Sequence, residues 1–99
     1  MFRVIYRWQV PTENIAEFQA TWRATMDAIH KSVQGALGSF MLQSSDDPNK
    51  VLTIAKWRSR ADWVHFWDNS NPEQMHKMRL LAERISVETF DEVEDRTHS

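Results

Sequence analysis

The sequence predicts an α+β domain: a four-stranded antiparallel sheet with helices over one face, in the order β-α-β-β-α-β. Three observations carry this. Residues 2–10 alternate, with Phe2, Val4, Tyr6, Trp8 and Val10 on one face and Arg3, Ile5, Arg7 and Gln9 on the other. Ile15, Phe18, Trp22, Met26 and Ile29 then recur at helical spacing, with Thr25 the one polar residue on their stripe. Two further strand-like runs flank the turn cluster Asp46-Asp47-Pro48-Asn49 and so form a hairpin.

Each element follows in order. Pro11 ends the first strand, and a helix begins at about Thr12 or Asn14, where Asn14 and Glu17 make a capping-box pattern. His30 and Lys31 place positive charge in its last turn. Gly35 and Gly38 bracket a turn, then residues 39–44 form a short strand with Phe40 and Leu42 on one face. Residues 51–57 are mostly apolar and predict a central strand ending at Trp57. Ser59 and Asp62 cap a second helix that carries Trp63, Phe66 and Trp67. Asn69-Ser70-Asn71-Pro72 breaks it, and Asn71 as cap with Pro72 at the first position starts another helix lined by Met75, Met78, Leu81 and Ala82. Residues 85–93 are the last strand, with Ile85, Val87 and Thr89 on one face and Phe90 on the other. This is the ferredoxin-like order over residues 1–93, followed by a polar tail at 94–99.

Composition excludes many chemistries. The 99 residues are one domain. With 12 Lys and Arg against 14 Asp and Glu, there is no basic footprint for nucleic acid. No apolar run approaches a membrane span, and the start Met1-Phe2-Arg3-Val4 lacks a signal-peptide pattern, so a cytoplasmic protein is expected. The absence of cysteine removes disulfides, thiolate nucleophiles, Fe–S clusters and Cys-based zinc sites. Two glycines are too few for a Gly-rich phosphate cradle. No His cluster has metal-site spacing, so no metal is expected. Asp46 and Asp47 are explained by turn chemistry. The unusual feature is five Trp, five Phe and one Tyr, which point to an aromatic pocket, a subunit interface or a ring-rich core. The central strands carry apolar residues on both faces, and no second layer remains to cover the outer one. A symmetric homodimer, sheet against sheet, is the simplest cover.

Three stretches carry a resemblance: YRWQVPTENIAEFQATW at 6–22, GALGSFMLQSSDDPNKVLTIAKW at 35–57 and RSRADWVHFW at 58–67. Together they resemble the antibiotic biosynthesis monooxygenase domains of the dimeric α+β barrel superfamily, over about residues 2–93. The resemblance implies a homodimer and a small-molecule pocket between sheet and helices. Members include cofactor-free oxygenases of aromatic polyketides and quinols, heme-degrading monooxygenases, isomerases and proteins with no assigned reaction. The leading expectation is a cofactor-independent monooxygenase acting on a small electron-rich aromatic, a quinol or polyketide-type phenol. The alternatives are a ligand-binding member without chemistry and a heme protein.

The candidate site residues follow. His76 and Tyr6 are the catalytic candidates. His76 falls where a helical histidine ligates heme in one branch of the family, or else is a surface histidine. That branch uses an Asn on the first strand, where this chain has Tyr6 or Arg7, and a pocket Trp, where Phe66 stands beside Trp67. Tyr6, the only tyrosine, either hydrogen-bonds a phenolic substrate or is a core ring. Trp8, Trp57, Trp63, Phe66, Trp67 and Met75 are the candidate substrate-binding residues, and the same side chains would serve as ordinary packing of helix on sheet. Arg3 and Arg7 fall on the outer face, where Glu88 and Glu92 share a face able to meet them. His65 lies about 200° from Trp63 round its helix and faces solvent.

Overall fold

The computed structural model describes residues 1–69 and 71–98, and for residues 71–74 the backbone only. Its elements are strand β1 (Phe2–Gln9), helix α1 (Ile15–Ser32), strands β2 (Ala36–Gln43) and β3 (Lys50–Trp57), helices α2 (Arg60–Asn69) and α3 (Asn71–Leu81), and strand β4 (Glu83–Asp91). The four strands form one antiparallel sheet in the order β2-β3-β1-β4. All three helices lie on one face, so the α+β ferredoxin-like expectation is met, with β3 central as its apolar run requires.

The alternation of β1 decides the layering. Phe2, Val4, Tyr6 and Trp8 are buried beneath the helices, joined by Val51, Ala55 and Trp57 from β3, Phe18 and Ile29 from α1, and Trp63, Phe66, Met75 and Met78 from α2 and α3. Burying each valine, isoleucine, phenylalanine or methionine among them contributes about 1.5–3 kcal/mol. Ser59 caps α2 as expected, its hydroxyl accepting the Asp62 amide at 3.2 Å. Asp47 and Ser44 accept backbone amides in the 44–49 turn, which confirms the turn reading of that acidic pair. The cap read at Asn71 and Pro72 falls on side chains outside the described ones.

Three boundaries differ from the sequence reading, each for a local reason. Asn14 makes no cap. A 3-10 turn over Thr12–Asn14 runs straight into α1, leaving Asn14 in a helical conformation, whereas a cap needs extended backbone. Its side chain instead donates to the Leu81 carbonyl at 2.9 Å, tying the start of α1 to the end of α3. Gly38 does not close a turn: it lies inside β2, where the register slips by one residue between Ala36 and Gly38. Its φ of +114° fits such a bulge. Gly35 does turn the chain, at φ +83°, with the Asp62 side chain packed where a β-carbon would stand. Finally, β4 starts two residues early and carries a second slip. Trp8 pairs with Arg84 and Arg7 with Ser86, so Ile85 is the extra, exposed residue. Arg84 and Val87 therefore share the helix-covered face, and Ile85 leaves it.

On the outer face, Arg3 meets Glu92 at 2.7 Å and Arg7 meets Glu88 at 2.5 Å, so both arginines find their carboxylates within the chain. The hydrogen bond from Arg7 holds the Glu88 carboxyl below the usual glutamate range.

Candidate functional site

The inward face of β1 puts Tyr6 in the middle of the sheet beneath α2. The Trp63 indole N–H donates to the Tyr6 hydroxyl at 3.3 Å. Tyr6 is 4% exposed, and burial pushes its proton affinity above that of an ordinary tyrosine, opposed in part by the Trp63 hydrogen bond and the charge of Arg84. Its oxygen accepts from Trp63, and among the described residues its own hydrogen has no acceptor. Trp67, one turn along α2, stacks on the Tyr6 ring with centroids 6.3 Å apart and planes 30° apart. Trp63 and Trp67 lie 5.3 Å apart.

Arg84 completes the cluster from β4. Its guanidinium carbon sits 5.0 Å from the centre of the Trp67 ring, a cation–π contact that orients the fork. Burial and the neighbouring Arg79 charge both lower its proton affinity, but an arginine stays charged throughout the neutral range. One terminal nitrogen, Nη1, is buried with no acceptor among the described residues. Here one spot gathers a fixed cation, a neutral hydroxyl donor and a wall of rings.

Sequence reasoning missed Arg84. Strict alternation from Val87 puts it on the outer face, and only the Ile85 bulge brings it under the helices. A bulge leaves no compositional signal here. Thr53 was also missed: it is buried and accepts the Trp8 indole N–H at 3.1 Å.

The remaining candidates divide. Tyr6, Trp8, Trp63 and Trp67 pack on one another. Trp57, Phe66 and Met75 instead meet at a small apolar cavity of about 20 Å³ that Ile29 and Ala55 also line. His76 does not join either group. Met75 and Met78 turn inward and are buried, which carries His76 to the solvent side of α3, where it is exposed. The structure thus separates the two catalytic candidates, Tyr6 within and His76 without. His65 is exposed, as its helical angle requires. Among the described residues no group of three or more His, Asp or Glu is placed to hold a metal ion, and no helix is long and apolar enough to cross a membrane.

Comparison with known proteins adds the following. The family model described as antibiotic biosynthesis monooxygenase matches residues 1–79. No curated protein matches the chain at a significant level. Among solved structures, a single-residue variant of SnoaB, a cofactor-independent oxygenase from Streptomyces nogalater, superposes with a TM-score of 0.80 at 17% identity, covering 98% of this chain and 97% of that one. A protein from Deinococcus radiodurans, provisionally classed as an antibiotic biosynthesis monooxygenase, gives 0.76 at 12% identity over 100% and 99% of the two chains. Rv0793 from Mycobacterium tuberculosis gives 0.72 at 15% identity over 97% and 98%. At these identities the likeness shows a shared fold.

Proposed function

The chain belongs to the antibiotic biosynthesis monooxygenase family, and we propose that it is a cofactor-independent monooxygenase of electron-rich aromatics, with Tyr6, Trp63 and Arg84 as its oxyanion site. The observation that carries this is the buried Tyr6 hydroxyl, bonded by the Trp63 indole, beside a guanidinium with an N–H unpartnered among the described residues. Oxygen chemistry ordinarily needs a cofactor. A phenol whose keto tautomer holds a CH₂ group escapes that need, because its phenolate is itself the electron donor. The phenolate passes an electron to O₂, and the radical pair joins at the ring carbon. The resulting hydroperoxide loses water: CH₂ + O₂ gives C=O + H₂O. One oxygen enters the product, and the two hydrogens of the carbon leave in the water. The protein's task is to hold the phenolate oxygen in an apolar place, where Arg84 and the free proton of Tyr6 stabilise it. Trp67, half-buried between the two, is the ring that substrate must displace to reach them.

The test is oxygen uptake with a panel of anthrones and naphthohydroquinones. We expect turnover above a protein-free blank, a loss of at least about tenfold in kcat/KM for Tyr6→Phe, and about a hundredfold for Arg84→Met. Rates equal to the blank across the panel would reject catalysis. One observation favours the second reading, a ligand carrier without chemistry: the rings around Tyr6 are already packed against each other. Its mark is saturable affinity for the same phenols without oxygen uptake.

The proposal includes a homodimer. The outer face of the sheet presents Ile5, Leu52 and Ile54 half-exposed and Phe40, Leu42 and Phe90 exposed. Pairing two such faces covers them, and the intrachain Arg3–Glu92 and Arg7–Glu88 pairs neutralise the two arginines that flank Ile5 on the same face.

A further inference from the structure

Three indoles of this protein meet three different fates. Trp8 donates to Thr53 and Trp63 donates to Tyr6. Trp22 Nε1 is buried and has no acceptor among the described residues. A buried indole N–H usually has a partner, so an orphan one marks a place where something is missing. Trp22 stands on the wall of a cleft between α1 and the edge strand β2, far in the sheet order from Arg84 on β4. The cleft holds about 400 Å³, with Phe18 and Trp22 on one side and Ser39 and Met41 on the other. A second hollow of about 210 Å³ continues from Trp22 and Ser39 towards His30 and Gly38. Beside Gly38 nothing lies within 4 Å of where a β-carbon would stand, so the bulge in β2 keeps that end open.

We infer that this cleft is a second small-molecule site, one that takes a neutral, flat bicyclic ketone whose carbonyl oxygen accepts the Trp22 indole N–H. The volume suits a two- or three-ring molecule. Phe18, Trp22 and Met41 give it rings and a thioether, beside the polar Gln19, Ser39 and Gln43, which suits a flat apolar body with a polar edge. The charges at its far end, Arg23 and Asp27, are of opposite sign, which gives no net pull on an ion. The one buried polar group on its wall without a partner among the described residues is a donor, so the ligand must bring an acceptor. The donor has no solvent-exposed surface, so the oxygen reaches it by displacing a flexible wall side chain such as Met41 or Gln43. This site shares no residue with the Tyr6–Arg84 cluster and stands or falls independently of the proposed oxygenase activity.

The experiment is a titration of the ¹⁵N-labelled protein with 1-tetralone, followed through the five assigned indole N–H resonances. Tetralin, the same skeleton without the carbonyl, is the control. We expect 1-tetralone to move the Trp22 resonance downfield and saturably, and tetralin to move it far less. Trp22→Phe keeps the ring but lacks the donor and should weaken binding at least tenfold. Ser39→Leu, on the edge strand away from the core, should fill the cleft and abolish it. Equal shifts from ketone and hydrocarbon, unchanged affinity in both variants, or no Trp22 shift at all would overturn the inference.

Discussion

Tyr6 shows how much one hydroxyl does in this fold. It is the acceptor for the Trp63 indole, so Tyr6→Phe leaves that N–H buried and unmet, at about 1–3 kcal/mol. A shift of that size in the urea midpoint, with an unchanged m-value, is the expected result. Burial raises the folded proton affinity of Tyr6 above its unfolded value. The stabilisation from that shift is complete below the unfolded pKa of about 10 and is lost as pH rises through the folded one. The wild-type protein should therefore lose stability on alkaline titration where Tyr6→Phe does not. As the chain's only tyrosine, Tyr6 also makes phenolate absorbance a direct reading of when it ionises. The inward placement of Tyr6, Trp8 and the α2 rings was legible in the sequence because period-2 and i, i+3, i+4 patterns fix faces without reference to the rest of the chain. The same holds for His76: the Met75, Met78 and Ala82 spacing turns Met75 inward and leaves its neighbour outside, and only the family resemblance placed His76 among the catalytic candidates.

Elements are tied to one another by polar contacts of differing legibility. The Ser59 cap could be read because a Ser three residues before an acid at a helix start is a local signal, and Ser59→Ala should cost about 1 kcal/mol. Asn14 carries the same kind of signal but spends its amide on Leu81, a partner 67 residues away. Asn14→Ala should also cost about 1 kcal/mol, yet the two losses should appear in different places. Native-state hydrogen exchange should quicken in the last turn of α3 for Asn14→Ala and in the first turn of α2 for Ser59→Ala. If Asn14→Ala instead frays only the start of α1, the helix-to-helix tie is wrong. Gly35 presents a sharper case. An alanine there would adopt a left-handed φ and meet the Asp62 side chain, so Gly35→Ala should cost about 2–3 kcal/mol. The two strand slips, at Leu37 and Ile85, are what sequence patterns miss. Each inserts one residue between correctly read neighbours, and only the pairing with β3 or β1 decides where.

At the scale of the whole molecule, the question is what covers the outer sheet face. Register sets its rows: Phe40, Ile54 and Ile5 lie side by side across β2, β3 and β1, and Leu42 lies beside Leu52 in the next row. Ile54 is at the centre of the patch, flanked on both sides by apolar neighbours. A glutamate there would place a charge in the middle of a sheet-to-sheet contact, where no counter-charge is within the row. Sedimentation should give a dimer for the wild-type protein at micromolar concentration and a monomer for Ile54→Glu, with the far-ultraviolet circular dichroism of both alike, because this side chain faces away from the helices. The charges beside Ile5 on this face add a second expectation. Arg3 and Arg7 are paired within their own chain rather than across the contact, so raising the salt should weaken the dimer little, in contrast to an interface held by steering between opposite patches. The Glu88 carboxyl ionises below the usual glutamate range, so its pair with Arg7 is intact throughout neutral and mildly acidic pH and is lost only as pH falls through that depressed value. Dissociation should follow the same path: insensitive from about pH 8 to about pH 5 and increasing in stronger acid. A wild-type chain that stays monomeric as its concentration is raised would mean that the apolar rows are covered in some other way, and would remove the dimer from the proposed function while leaving the Tyr6–Arg84 site untouched.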